Sequence, residues 1–79
     1  MRGQKYVVIN DGWGEQAILF SASLTHADVA RGIRGEVVSA GFYYDGKAFG
    51  ESTSLGIVSR MDEDTQVIHE MLALTEHKE

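Results

Sequence analysis

Residues 36–58, EVVSAGFYYDGKAFGESTSLGIV, read as a β-hairpin closed on Asp45-Gly46. A two-residue type I′ turn needs positive φ at both central positions, which Asp and Gly supply at little cost. With that turn, Tyr44 faces Lys47, Tyr43 faces Ala48, Phe42 faces Phe49, and Gly41 opposes Gly50. Alternation then puts Val38, Ala40, Phe42 and Phe49 on one face, the expected core side, and turns Tyr43 at least partly outward. The Gly41–Gly50 pair leaves a bare spot where another backbone can approach closely.

Upstream, residues 5–9 (KYVVI) and 16–20 (QAILF) are two further strand-like runs separated by Asn10-Asp-Gly-Trp-Gly14, a second hairpin signal whose register the extra glycine leaves open. Thr25-His-Ala-Asp28 has the form of a capping box, with Leu24 and Val29 placed to pack across it and Arg31 and Arg34 near the helix end. Downstream, Val67, Ile68, Met71, Leu72 and Thr75 make the stripe of an amphipathic helix that starts at Ser59 or Asp62. Asp62, Glu63 and Asp64 suit the positive end of its dipole, and Glu70, Ala73, Glu76 and His77 fall on the outer side.

The two Asp-Gly turns are 34 residues apart, and so are Thr25-x-x-Asp28 and Ser59-x-x-Asp62. This spacing predicts one small α+β domain over 1–79, built as two ββα units at about 5–34 and 36–76. The expected fold is a four-stranded antiparallel sheet in ββαββα order with both helices on one face, leaving the other open.

Seventy-nine residues suffice for one domain with a thin stability margin. There is no cysteine, which excludes disulfides and thiolate metal sites and fits a reducing, cytoplasmic setting. The apolar run near the N-terminus, Tyr6 to Ile9, is too short for a secretory signal or a membrane span, so no membrane association is expected. Residues 1–40 carry four basic and four acidic side chains, whereas residues 41–79 carry three basic and eight acidic, so the net charge of −5 sits in the second half. Without a basic face or a Lys/Arg-rich run, nucleic-acid binding is disfavoured.

Few residues suggest chemistry. His69 and His77 are eight apart, not the i, i+4 spacing that lets two imidazoles share one ion, and His26 is remote in sequence. Ser52-Thr-Ser-Leu-Gly56 lacks the first glycine of a nucleophile elbow and reads as a solvated face. Gly12-Trp13-Gly14 leads into a strand rather than a helix, so it is a turn and not a phosphate cradle. No catalytic residue, metal ligand or cofactor is expected. The better candidates are for contact: Trp13 in a turn, Tyr43 and Tyr44 beside Lys47, and the acidic outer face of the last helix at Glu70 and Glu76.

From Ala40 to Asp62, AGF…FGESTSLGIVSRMDED resembles small uncharacterised proteins carried by bacterial phages, prophages and related mobile elements. The resemblance implies a bacterial or phage origin and an accessory role exercised through contacts. The expectation is therefore a non-enzymatic protein-interaction module with an unidentified protein partner, itself homo-oligomeric. Two alternatives are a small-ligand or enzymatic subunit whose site forms between copies around His26 or His69, and a weak nucleic-acid binder using Arg31, Arg34 and Lys47.

Overall fold

The computed structural model of the chain describes residues 3–76, with the side chains of residues 75 and 76 left out; Glu76 and His77 among the candidates above lie outside the described side chains. The elements run β1 (Gln4–Asn10), β2 (Glu15–Phe20), α1 (His26–Ala30), β3 (Glu36–Tyr44), β4 (Lys47–Phe49), β5 (Glu51–Ser52), β6 (Ile57–Val58) and α2 (Asp62–Glu76). The first four strands form an antiparallel sheet in the order β2-β1-β3-β4, and β5 pairs with β6 in a separate small hairpin. The chain is therefore α+β with a four-stranded antiparallel sheet and two helices.

Local signals set much of this. Asp45 and Gly46 have φ of 55° and 78°, the mirror-image turn that hairpin twist requires. The pairs Phe42–Phe49, Tyr43–Ala48 and Tyr44–Lys47 follow from it. At α1 the Thr25 hydroxyl accepts from the Asp28 amide while the Asp28 carboxylate accepts from the Thr25 amide, a complete capping box. The first hairpin has a longer loop than a two-residue turn: Asn10 pairs with Glu15, leaving residues 11–14 as its tip.

Two features differ from the expected arrangement. The helices lie on opposite faces, and a further hairpin, β5–β6, stands between β4 and α2. One face carries Tyr6, Val8, Ala17 and Ala48 under Ile68 of α2, with Val67, Met71 and Leu72 packed around them. The other carries Val7, Ile9, Phe20 and Ala40, covered by Val29 and Ile33 of the α1 region and by Leu55 and Ile57 of the small hairpin. The reason lies in β1. Tyr6, Val7, Val8 and Ile9 are four successive buried residues, and since strand side chains alternate between faces, an open face would strand two of them in water. At about 25 cal/mol per Å² of apolar surface, each such side chain would forgo roughly 1.5–3 kcal/mol. One helix cannot cover both sides.

A β-bulge corrects a second expectation. Val8 pairs with Ser39 but Ile9 pairs with Val37, so Val38 is an extra residue in β3. Val37 joins the α1-side cluster while Val38 joins the α2 side, away from the Ala40 face on which simple alternation places it.

The glycine pair in the second hairpin is a site of close approach. A Cβ on Gly41 would lie 2.5 Å from the Phe49 carbonyl oxygen and 3.2 Å from Ser59 Cβ, and one on Gly50, at φ 86°, would lie 3.0 Å from Phe42 Cδ1. The β5–β6 hairpin lies against β3, and the chain crosses the sheet between Ile57 on the α1 side and Ser59 beneath Tyr6 on the α2 side. Gly41→Ala should therefore push two backbones apart. Its cost is expected at about 2–3 kcal/mol, in the range for overpacked cores, read as a lower urea midpoint at unchanged m value.

Candidate functional site

The sequence candidates fall in separate places. Trp13 sits at the tip of the β1–β2 loop and is 95% exposed. Its position is nonetheless defined. The Gly12 amide donates to Asn10 Oδ1 and the Trp13 amide to Asp11 Oδ1, both at 2.9 Å, and Gln16 Nε2 donates to Asp11 Oδ2 at 2.9 Å. Two Asx turns at the β1 end and the Gln16 side chain from the β2 end thus fix the loop.

Tyr43, Tyr44 and Lys47 lie at the other end of the sheet, because Gln4 at the start of β1 pairs with Tyr43 while Asn10 pairs with Glu36. Tyr44 is exposed next to Lys47, whereas Tyr43 is half-buried. The Tyr43 ring meets His69 edge-on, centroids 6.0 Å apart, with its Oη 3.1 Å from Nε2. Glu70 is exposed on the outer side of α2. The aromatic candidates thus form two surfaces rather than one patch.

The histidines are held by the fold. His26 is 3% exposed, with Nε2 2.8 Å from the Gly41 carbonyl oxygen and its ring edge-on to Phe20 and Phe42. His69 is on the opposite face of the sheet, bonded to Tyr43, so the two imidazoles cannot act together within one chain. Among the described residues no group of three His, Cys, Asp or Glu is placed to hold a metal ion, and no helix is long and apolar enough to cross a membrane. Ser52, read from the sequence as part of a solvated face, is buried: its hydroxyl accepts from the Leu55 amide at 3.1 Å and shapes the β5–β6 turn.

The most demanding electrostatic feature is a buried carboxylate, Asp64, one of the three at the α2 start expected to serve the helix dipole. Asp64 is fully buried. Its Oδ2 accepts from Tyr6 Oη at 2.5 Å and from the Arg60 amide at 2.8 Å, and its Oδ1 accepts from Ser39 Oγ at 2.8 Å and Arg60 Nε at 2.7 Å. Ser59 Oγ lies 2.6 Å from Tyr6 Oη and accepts from the Met61 amide at 2.9 Å. The Arg60 guanidinium then forks onto Glu15 of β2, with Nη1 and Nη2 at 3.0 and 2.8 Å from the two carboxylate oxygens. Carboxylate and guanidinium planes match in this geometry. No buried side-chain nitrogen or oxygen among the described residues lacks a partner. The sequence did hold a signal: Asp64 stands four residues before Ile68, on the buried stripe of α2 rather than beside it.

Charges respond accordingly. Burial opposes ionisation of Asp64, but hydrogen bonds from Tyr6, the Arg60 backbone, Ser39 and the Arg60 side chain outweigh it and hold the carboxyl below the usual carboxylate range. Burial, with the neighbouring carboxylate, pushes the Tyr6 phenol well above its ordinary value. The hydrogen-bonded Arg60 holds Glu15 low, and Glu15 in turn raises Arg60. An acid that stays ionised and a phenol that stays protonated make a clamp, not a proton-transfer pair.

Comparison with protein-family models, with curated proteins and with solved structures found no match to this chain.

Replacing Asp64 by Asn breaks the pairing with Arg60 and should cost about 3–5 kcal/mol, measured by chemical denaturation at neutral pH. The sign with pH follows from the lowered values of Asp64 and Glu15. Their contribution is complete above the unfolded carboxylate pKa of about 4 and is lost as pH falls through the lower folded values. The wild-type chain should lose stability steeply in that acid range, and Asp64→Asn should show a visibly flatter dependence there.

Proposed function

We propose that this chain is a non-enzymatic protein-interaction module of the cytoplasm, anchored on its partner through Trp13. The observation that carries the reading is a lone tryptophan standing almost wholly in water on a loop whose backbone is pinned by Asn10 and Asp11. Leaving so large an apolar surface exposed forgoes roughly 1.5–3 kcal/mol that folding back over the hairpin would recover. A tryptophan presented on an ordered loop loses little entropy on docking, which suits the anchor of an interface.

The engagement of both described imidazoles also favours contact over catalysis. His26 is part of the α1-side packing and His69 is bonded to Tyr43, so a site around either would first have to break a structural contact. The absence of cysteine fits the cytoplasmic part of the proposal.

Trp13→Ala separates an anchor from a framework residue. Its unfolding free energy should stay within about 0.5 kcal/mol of wild type, as for surface substitutions away from packed features. Proteins recovered by the wild-type chain from a cell lysate should be lost with Trp13→Ala but retained with Tyr44→Ala, an exposed aromatic at the far end of the sheet. Equal recovery by all three chains would remove Trp13 as the anchor.

A further inference from the structure

The two edges of the sheet are finished differently. At the β4 edge the strand is three residues long, and the outward Ala48 amide is taken by Thr65 Oγ1 of α2 at 2.8 Å. That edge is short, and this outward donor is already taken. At the other side β2, residues 15–20 (EQAILF), has β1 as its only strand neighbour among the described residues. Natural edge strands are commonly guarded by charged side chains, especially Lys, by Pro, a bulge or a covering loop; β2 contains no Lys or Pro, carries its one charge at its first residue, Glu15, in an ion pair with Arg60, and pairs with β1 without a register shift.

Beside this open edge runs a trough between β2 and α2. One part, about 390 Å³, is lined by Glu15, Gln16 and Ala17 from the strand and by Val67, Met71 and Leu74 from the helix, with Glu70 on its rim. It continues towards the start of α2 past Glu63 and Gln66. Leu74 is 72% exposed. Glu15 is neutralised by Arg60, but among the described residues neither Glu63 nor Glu70 has an ion-pair partner. The trough is thus apolar along its floor, negative along its helical wall, and bounded by the outer edge of β2.

We propose that the β2–α2 trough receives an extended segment of a partner protein as a fifth strand, with side chains that alternate between apolar and basic. This rests on the interaction-module reading and specifies its partner. Main-chain bonding to β2 supplies register, alternate apolar side chains lie against Ala17, Met71 and Leu74, and Lys or Arg side chains meet Glu70 and Glu63. Trp13, two residues before Glu15, stands at one end of this track. Charge argues against a second copy as the occupant. Antiparallel pairing of two β2 strands about a two-fold axis keeps both α2 helices on one face, so it brings Glu70 towards its own equivalent in a chain of net charge −5.

The test is selection from a displayed random linear peptide library against the immobilised protein, followed by titration of the enriched peptide. Enriched peptides should alternate apolar residues with Lys or Arg, should slow amide exchange at β2, and should bind Glu70→Lys at least about tenfold more weakly at low salt. Glu70 is exposed, so an unchanged melting curve should accompany that loss; Leu74→Asp, also at an exposed position, provides a second variant. Four results would overturn the proposal: no enrichment, acidic ligands, protection away from β2, or light scattering that shows a dimer whose β2 amides are protected without peptide. Failure here together with Trp13-dependent capture would remove the trough and leave the interaction module standing. Equal capture by Trp13→Ala would remove the anchor whatever the library yields.

Discussion

A carboxylate taken out of water costs several kcal/mol unless donors meet its lone pairs, and Asp64 is met from three directions at once. Tyr6 reaches it from β1, Ser39 from β3, and Arg60 from the turn before α2, with Glu15 of β2 completing the chain of charge. Apolar packing of Ile68 and its neighbours brings α2 to the sheet, but that packing is non-directional. The hydrogen bonds fix which turn of α2 lies over which strand. Gly41 serves the same arrangement, since a Cβ there would meet the Phe49 carbonyl oxygen at 2.5 Å and crowd Ser59 Cβ at 3.2 Å beside the clamp.

Short-range features were legible in the sequence. The Asp45-Gly46 turn set the β3–β4 register, and the Thr25/Asp28 box announced α1, because each signal and its consequence lie within a few residues. The α2 stripe was equally plain. What escaped was set by partners distant along the chain. The bulge at Val38 exists only in the pairing of β3 with β1, and Ser52 is buried only because β5–β6 closes onto β3. The face assignment was readable in principle: four apolar residues in succession at Tyr6–Ile9 signify a strand covered on both sides, whereas the expected one-sided sheet calls for alternation. Of the candidate surfaces, Trp13 stood out in the sequence as a lone indole in a turn, but the sequence could not show that Tyr43 and Tyr44 lie at the other end of the sheet. Three consecutive carboxylates at residues 62–64 look alike until the helix phase singles out Asp64.

The opposite placement of the helices also changes what the sheet can offer. With both faces largely covered, the surfaces left for a partner include the loop tips, the outer side of α2 and the edge at β2. The 34-residue spacing of turn and helix-start signals coexists with this asymmetry. An antiparallel β1–β3 pair has its two-fold axis normal to the sheet, which would put equivalent helices on the same face. The two hairpins follow that relation and the helices do not.

The clamp between Tyr6 and Asp64 joins positions 58 residues apart in the chain. Such a contact raises contact order, and the loop-closure entropy must be met before the bond forms. β1 is synthesised before α2, so its buried hydroxyl must wait for a partner that lies 58 residues further on. A nascent chain therefore has its central strand waiting for α2, and the sheet and α2 are expected to fold together in one concerted step rather than progressively.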